Sequence, residues 1–455
     1  MANPVSDFKK LLRHGEQAFH GGDREEYEKA LRLAAKMLRN LATSGQINAA
    51  LSLEPSWYNA LVKKVETERH YHESFQWHGQ SFWDAGQKDR RPLEGTGVAR
   101  RLAFVAHTGS LLGHTEVMLR IIEGWRRSSP HLEPYFISLS GMQPELAKRL
   151  KDLAVPRVNA PKDLKPSQVC KWVSNLIAQN AISTAVWLST PCWVSYAFGV
   201  GLAPRQILWS LKFHALHLGS SVIHVGMTKP AEGEIQINEA PWKAFSPPLT
   251  LSVRKRPIED IRALRIRWPG VFLFGTLARE EKFNSPSFVV AVVRVLKSTK
   301  GTHFLYTGKQ QPVMLAEALQ QAGLGDRSTF VGWVDTDLYA QAIDGFLETF
   351  PFGCGITGAQ AVEHGTPVVS MWDEDTLPRF YFPDLLEARA FSPDWRIATS
   401  IDEYVESAVA MIAAGSRHEE RVSGKRISSQ VNPSLARIDE HKPEQLRDLF
   451  GLPAA

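Results

Sequence analysis

Apolar and polar residues alternate with a helical period through the first 95 residues of the chain. In DREEYEKALRLAAKMLRNLA, residues 23–42, apolar side chains recur every three or four positions among strong helix formers. SLEPSWYNALVKKVETERHYH, residues 52–72, continues the pattern after a proline. The pattern predicts an all-α region over residues 1–95, and the polar stretch WDAGQKDRRPLEGTGVARR, residues 83–101, is typical of a linker.

From residue 101 onward, short apolar runs alternate with amphipathic helical patterns. The runs RLAFVAH, EPYFISLS, STAVWLS and RQILWS are typical of strands, whereas HTEVMLRIIEGWRR and PSQVCKWVSNLIAQN are typical of helices. This alternation favours a parallel sheet that is covered on both faces. The pattern lapses between residues 230 and 265, around KPAEGEIQINEAPWKAFSPPLT, and we interpret the lapse as a boundary between two α/β units.

A second series of strands and helices begins at VFLFGTLAREEKF. THFLYTG, STFVGWV and GFLETF are predicted strands, and SPSFVVAVVRVLKS is a predicted helix with a serine cap and an early proline. The fold class is therefore α/β, with two Rossmann-like domains facing a cleft, in residues 100–240 and 241–455, after the all-α region at residues 1–95. We expect ligands beyond the carboxyl ends of the strands, where open α/β sheets bind them.

Composition narrows the class of protein. The 455 residues are 44% hydrophobic and 22% charged, as in ordinary globular proteins. The net charge of +5 is mild, and no Lys/Arg tract carries interleaved aromatics, so we expect no nucleic-acid partner. No apolar run reaches the ~18 residues of a membrane helix, and no apolar signal core opens the chain. Three distant cysteines without zinc spacing lead us to expect a cytoplasmic protein with reduced thiols.

The segment GFLETFPFGCGITGAQAVEHGTPVVSM, residues 345–371, joins two predicted strands through a glycine-lined turn and a helix. Gly353, Gly355 and Gly358 permit a sharp turn and the close approach of a ligand. A helix that begins near Thr357 presents unpaired N–H groups and a positive dipole end, which favour a phosphate. A tight strand-to-helix turn without a ligand explains the pattern equally well. No GxGxxG motif follows the first strand of either unit, so a nicotinamide or flavin fingerprint is not supported, and no P-loop motif is present.

The same segment resembles the nucleotide-sugar segment of GT-B glycosyltransferases. It is most similar to the inverting group that contains the O-linked N-acetylglucosamine transferase and the bacterial HMW1C-like N-glycosyltransferases. LLGHTEVMLR, APRQILWSLKFHALH and FGTLAREEKFNSPSF also match that group in the same order, and the matches cover roughly residues 100–390. The resemblance implies a UDP-sugar donor, inversion at the anomeric carbon, no metal ion, and a protein side chain or glycan as the acceptor.

The resemblance also implies roles for particular residues. The phosphate-binding lysine of the group falls on Lys282, and its active-site histidine falls on His114. The implied donor-binding residues are Lys282, Gly353, Gly355, Ile356, Thr357, Gly358, Gln360, Lys212 and His214. The chain departs from the group where a ribose-binding carboxylate falls on Gln360 and a histidine that touches the diphosphate falls on Gly355. The departures leave open a nucleotide-sugar-binding protein without transferase activity, or a GT-B relative of other chemistry, such as a retaining transferase or an epimerase.

Each candidate also has a purely structural interpretation. Lys282, beside two glutamates, fits a solvated loop charge, and His114 fits a position near a helix cap. His107, at the end of its strand, competes with His114 as a general base, for which the ordinary histidine pKa is suited. Lys212 and His214 fit a solvated loop equally well. The acidic triplets at residues 335–337 and 373–375 are interpreted as helix-cap residues and not as metal sites.

Overall fold

The structure is a computed structural model that describes residues 4–21, 23–62, 69–90, 98–188, 190–210, 216–226, 234–237, 240–244, 254–350, 353–354, 356–371, 395–415 and 444–454. The chain divides into two compact units. Unit 1 comprises Met1–Pro248 together with Glu440–Ala455, and unit 2 comprises Leu249–Asp439. The helical region therefore belongs to the same compact unit as the first sheet, and its separation as a domain at residues 1–95 stays a prediction.

In the part of residues 1–95 that the structure describes, four helices open unit 1, as the periodicity predicts. They are α1 (Pro4–His20), α2 (Arg24–Thr43), α3 (Ile47–Ala60) and α4 (Arg69–Lys88). Asp23 caps α2, since its side chain accepts a hydrogen bond from the backbone N–H of Glu26 at 3.1 Å. The predicted linker is wrong over its first residues, because α4 continues to Lys88.

An eight-stranded sheet forms the centre of unit 1. Its strands are β1 (Val98–Ala106), β2 (Glu133–Ser138), β3 (Arg157–Asn159), β4 (Ile182–Leu188), β5 (Arg205–Ser210), β6 (Val222–Gly226), β7 (Glu234–Ile237) and β8 (Ala240–Ala244), and its helices are α5 (Gly113–Ser128), α6 (Pro144–Asp152), α7 (Pro166–Gln179) and α8 (Val194–Val200). The strand order is β3-β2-β1-β4-β5-β6-β8-β7, and among the strand pairs that the structure describes here only β7–β8 is antiparallel. Since β2 and β3 lie on one side of β1 and β4 on the other, the topological switch point lies between β1 and β4.

The helical region packs against the α/β part of unit 1 where α4 crosses closely over α8. A Cβ atom added to Gly86 of α4 would lie 2.9 Å from the Cα atom of Gly199 of α8, so only a residue without a side chain fits there. The last helix, at residues 444–449, also belongs to unit 1. Phe450, which follows it, contacts Phe104 of β1 with ring centroids 6.4 Å apart.

Unit 2 contains a six-stranded sheet in which every strand pair is parallel. Its strands are β9 (Phe272–Thr276), β10 (Thr302–Tyr306), β11 (Ser328–Phe330), β12 (Gly345–Leu347), β13 (Val368–Met371) and β14 (Trp395–Ala398), and its helices are α9 (Ile258–Arg265), α10 (Pro286–Ser298), α11 (Val313–Gln321), α12 (Thr336–Ala342), α13 (Ile356–Glu363) and α14 (Ile401–Ala413). The order β11-β10-β9-β12-β13-β14 places the switch point between β9 and β12.

Several local predictions for unit 2 are confirmed. Ser285 caps α10 by accepting from the N–H of Phe288 at 3.2 Å, and Asp335 caps α12 by accepting from the N–H of Leu338 at 3.1 Å. The triplet at residues 373–375 lies outside the described residues. None of the helices that the structure describes is long and apolar enough to span a bilayer.

Candidate functional site

Lys282 and the glycine-lined turn meet at the switch point of unit 2. Lys282 lies in a short 3-10 helix, Glu280–Phe283, that follows β9, and Gly353 lies in the turn that follows β12. The ammonium Nζ of Lys282 donates a hydrogen bond to the carbonyl oxygen of Gly353 at 2.7 Å. Two segments that are 71 residues apart in sequence thus come together at the carboxyl edge of the sheet, where ligands bind in open α/β folds.

Burial dominates the electrostatics of Lys282. The side chain is half-buried, and loss of hydration lowers the pKa of its ammonium below the ordinary lysine value. Negative charge at Cys354, Glu281 or Glu348 raises that pKa, whereas the positive charge of Arg279 lowers it. Partial burial of an ammonium favours the binding of an anion, because the anion offsets the cost of removing the charge from water.

Cys354 is a buried thiol in the same turn and not a nucleophile. Burial raises the pKa of the Cys354 thiol, so the group stays protonated at neutral pH. Its sulfur lies 3.3 Å from the hydroxyl oxygen of Thr349, which is itself fully buried. The cysteine therefore fills the turn between β12 and α13.

The start of α13 is fastened to the end of β9. The hydroxyl of Thr357 donates to the carbonyl oxygen of Leu277 at 2.6 Å, directly after β9, and the N–H of Thr357 donates to Cys354 at 3.3 Å. Gly358 lies inside α13, and a Cβ atom there would make only ordinary contacts, so this glycine does not shape the turn as the sequence argument expected. Gln360 is half-buried on the same helix. Gly355, and the side chain of Ile356, are outside the described residues.

Two further predicted donor-binding residues, Lys212 and His214, also lie outside the described residues. His217, in the same predicted loop, is described. Its ring contacts Trp83 of α4 with centroids 6.4 Å apart, and burial lowers the pKa of its imidazole. The loop after β5 therefore touches the helical region at this residue.

The acidic triplet at residues 335–337 makes structural contacts. Beyond its cap, Asp335 pairs with Arg256, and Asp337 binds the ring of His364 at 3.0 Å. Within the described part of the chain, no group of three or more His, Cys, Asp or Glu side chains is arranged to hold a metal ion.

The switch point of unit 1 brings two aromatic side chains together. His107 follows β1 and Trp193 follows β4, and their rings meet edge to face with centroids 4.7 Å apart. Burial lowers the pKa of His107 to about 4, so the imidazole is neutral at pH 7, and its buried Nδ1 atom has no hydrogen-bond partner among the described residues. His114 lies half-buried in the first turn of α5, where Thr115 supplies the capping hydrogen bonds. Both histidines considered from the sequence thus lie on the connection that follows β1.

The helical region fixes Trp193 in an unfavourable backbone conformation. Trp193 has a φ of +67°, which is costly for a bulky aromatic residue. Its backbone N–H donates to Glu54 at 2.7 Å, and its indole N–H donates to the carbonyl oxygen of Leu51 at 2.7 Å. The carboxylate of Glu54 is 1% exposed and also binds the ring of His78 at 2.8 Å. These contacts join residues 139 and 142 positions apart, and no local sequence signal identified them.

Two sheets with separate switch points, preceded by an α-helical region, define the class of fold as that of the GT-B glycosyltransferases, as predicted. No protein-family model matches the chain, and no curated protein matches it significantly. Solved structures are similar over most or all of its length.

The similar structures include one that spans the helical region as well. An O-GlcNAc transferase mutant of Thermobaculum terrenum is 19% identical, with a TM-score of 0.55 over 99% of each chain. Anabaena HepE, solved with UDP and glucose, is 12% identical, with a TM-score of 0.53 over 76% of this chain and 100% of that chain. A glycosyltransferase of Rickettsia africae is 12% identical, with a TM-score of 0.53 over 78% and 99%. At these identities the similarity establishes the fold.

Proposed function

We propose that the protein is a glycosyltransferase that moves a hexose from a UDP-sugar to a protein side chain or a glycan. The transfer inverts the anomeric carbon and needs no metal ion. The observation that carries the proposal is the contact between the Lys282 ammonium and the Gly353 carbonyl at the switch point of unit 2. It places a cation beside the N-terminus of an eight-residue helix, α13, within a GT-B fold.

The chemistry of transfer explains why these groups belong together. When the bond between the sugar and the diphosphate breaks, negative charge develops on the departing phosphate oxygens. A fixed ammonium and the N–H groups at a helix start stabilise that charge without rearrangement. The half-buried position of Lys282 strengthens this interaction, because charges attract more strongly where water is partly excluded.

The acceptor must also lose a proton as it attacks. We assign that role to His114, which lies half-buried in the first turn of α5, because histidine is the side chain most often used for proton transfer in catalysis. His107 is the less suitable base, since its pKa of about 4 leaves little driving force to take a proton. The neutral imidazole of His107, which lies against the indole of Trp193, is better suited to contact the acceptor.

The names of the similar proteins support a UDP-sugar as the donor, whereas the acceptor must be identified by experiment. HepE was solved with UDP and glucose, and the Thermobaculum protein is named as an O-GlcNAc transferase. A cytoplasmic location is also part of the proposal, and it is supported by the finding that none of the three cysteines forms a disulfide.

Calorimetry of the full chain with UDP, GDP, dTDP and their sugars, with and without EDTA, tests the proposal. We expect UDP to bind preferentially, with affinity that persists in EDTA. Lys282→Ala should weaken UDP binding by about 10- to 150-fold, the equivalent of about 1.5–3 kcal/mol for a hydrogen bond to a charged group. Lys297→Ala, which removes an exposed lysine from the last turn of α10, is the matched control and should bind as the wild type does.

Each alternative gives a different result. Failure to bind any nucleotide overturns the proposal. UDP binding without sugar release to peptide, glycan or water indicates a non-catalytic binding protein. A product with retained anomeric configuration, or epimerised free sugar, indicates one of the other GT-B chemistries.

A further inference from the structure

His107 and Trp193 meet at the switch point of unit 1, and both side chains remain partly exposed there. Their ring centroids are 4.7 Å apart, and the two ring planes make an angle of 76°. His107 follows β1 and Trp193 follows β4, so the pair lies at the carboxyl edge of the sheet, where open α/β folds bind ligands. The donor site proposed in unit 2 makes no use of this pair, which leaves it for the acceptor.

Trp193 is fastened by two hydrogen bonds to residues of α3 in the helical region. Its backbone N–H donates to Oε2 of Glu54, and its indole N–H donates to the carbonyl oxygen of Leu51, each at 2.7 Å. Oε1 of Glu54 lies 2.8 Å from Nε2 of His78, whose Nδ1 lies 2.9 Å from the carbonyl oxygen of Ser74. This network holds a bulky residue at a φ of +67°, and residues held in such conformations are concentrated at functional sites.

The backbone of His107 is fixed independently, by the loop after β2. The hydroxyl of Ser140 donates to the carbonyl oxygen of His107 at 2.7 Å. The N–H of Gly109 donates to the carbonyl oxygen of Gly141 at 2.9 Å, and a Cβ atom on Gly109 would lie 2.7 Å from that oxygen, so the two loops cross too closely for a side chain. Separate elements thus bring the imidazole and the indole of Trp193 to one place.

The two rings offer the contacts that a sugar ring requires. The imidazole of His107 is neutral at pH 7, so it carries one donor and one acceptor nitrogen. Its Nδ1 atom is buried without a partner among the described residues, a cost that a ligand hydroxyl or a water molecule offsets. The indole of Trp193 supplies an apolar surface, on which the C–H face of a pyranose ring packs while its hydroxyls reach the imidazole. An anionic acceptor finds no counter-charge in either ring, and a serine or threonine side chain is too small to cover the indole.

We propose, on the basis of the function proposed above, that His107 and Trp193 form an acceptor subsite for a glycan, whose terminal sugar ring packs on the indole. Glu54 is the positioning residue that keeps Trp193 in this subsite. It is 1% exposed, so it acts through Trp193 and does not touch the acceptor. Substitutions at these three residues should therefore weaken acceptor binding and leave the affinity for UDP unchanged.

The probes are the methyl glycosides of glucose, galactose, mannose, N-acetylglucosamine, maltose and lactose, tested on the full chain with and without UDP. Fluorine NMR of the fluorotryptophan-labelled protein identifies the resonance of Trp193, and at least one glycoside should shift it in a saturable manner. Trp193→Gly accepts the positive φ without strain, and it should bind that glycoside at least about 10-fold more weakly. His107→Asn should weaken binding by about 2- to 10-fold. Trp77→Phe, at an exposed tryptophan of α4, is the matched control and should bind as the wild type does.

Variants of Glu54 separate positioning from stability. Glu54→Ala removes both accepting oxygens, so it should shift the Trp193 resonance of the free protein and weaken glycoside binding about as much as Trp193→Gly does. Glu54→Gln keeps one oxygen that can accept from the Trp193 N–H, and it should lose less affinity. Leu150→Ala removes a buried side chain of α6, and it should lower the melting temperature with the Trp193 resonance and the glycoside affinity unchanged.

The inference is overturned if no glycoside shifts the Trp193 resonance, or if Trp193→Gly binds the glycosides as the wild type does. Transfer of sugar to serine, threonine or asparagine peptides in place of the glycosides also overturns it and leaves the proposed function intact. Absence of UDP binding by the wild type overturns the proposed function and this inference together. If Glu54→Ala does not fold, Glu54→Gln decides the role of Glu54, and an unmoved Trp193 resonance with unchanged glycoside affinity refutes it.

Discussion

Replacement of Glu54 by glutamine tests whether the helical region fixes the loop that carries Trp193. In the native chain both carboxylate oxygens are used, one by the ring of His78 at 2.8 Å and one by the N–H of Trp193 at 2.7 Å. An amide has the same shape but only one accepting oxygen. One of the two partners must therefore face the NH₂ group, which donates and cannot accept the hydrogen bond of the Trp193 N–H.

The magnitude follows from burial. The ring of His78 can accept from the amide NH₂, since its Nδ1 donates to the carbonyl oxygen of Ser74 at 2.9 Å, but the charge is lost, and with Glu54 1% exposed no water can compensate for it. A hydrogen bond to a charged group contributes about 1.5–3 kcal/mol, and we expect Glu54→Gln to lower the free energy of unfolding by about 2 kcal/mol. Glu54→Ala leaves both partners unsatisfied and should cost about 3–5 kcal/mol. The matched control is Glu28→Gln, because Glu28 pairs on the surface of α2 with Arg24 at 3.0 Å and Arg32 at 3.4 Å. Such surface pairs contribute at most about 1 kcal/mol.

Urea unfolding followed by tryptophan fluorescence measures these free energies, and hydrogen exchange of the Trp193 amide reports on the loop itself. Glu54→Gln should speed that exchange, whereas the UDP affinity of unit 2 should stay unchanged. If Glu54→Gln unfolds at the same urea concentration as Glu28→Gln, the buried carboxylate does not hold the loop and the reasoning is refuted.

Two further predictions concern histidines. The pKa of His107 is about 4, below the ordinary value of 6.5, so the unfolded chain gains a proton between pH 6.5 and 4 that the folded chain does not. The stability that neutral His107 confers above pH 6.5 is lost as the pH falls from 6.5 to 4, and the loss is at most about 3 kcal/mol. The His107→Asn variant should lose less free energy of unfolding over the same pH range. If NMR shows that His107 titrates between pH 6 and 8, the reasoning is contradicted. His114→Ala should lower turnover by about 10²- to 10⁴-fold with UDP affinity intact, and near-normal turnover removes it as the base.

Among the helices, the sequence pattern predicted those that bury only one face. The amphipathic helices α5, α7, α10 and α14 carry a clear 3.6-residue period, since one face packs on a sheet and the other faces water. Helix α8 was missed because every one of its residues is buried, which removes the period. Strands β7 and β8 were missed, because both strands are short and lie among prolines.

The candidate site was predictable where its chemistry lies in short segments. Lys282 was found through the family resemblance, and the turn at Gly353 was found because its glycines follow a recognisable strand, where parallel sheets bring their carboxyl ends to one edge. Glu348 also follows a buried strand, and a carboxylate at that position is a usable signal that was overlooked. The contact of Glu54 with Trp193 depends on how α3 packs on the loop after β4, and the spacing of apolar residues in the sequence does not predict that packing.

A common arrangement links the two units. In each, the switch point carries a residue of candidate chemistry and a glutamate that is 0–1% exposed: Glu348 lies directly after β12 in unit 2, and Glu54 binds the N–H of Trp193 in unit 1. Buried carboxylates cost free energy, and well-packed apolar residues often replace them without loss of stability. Their presence beneath both switch points, where parallel sheets bind ligands, is thus better explained by the positioning of a site than by stability.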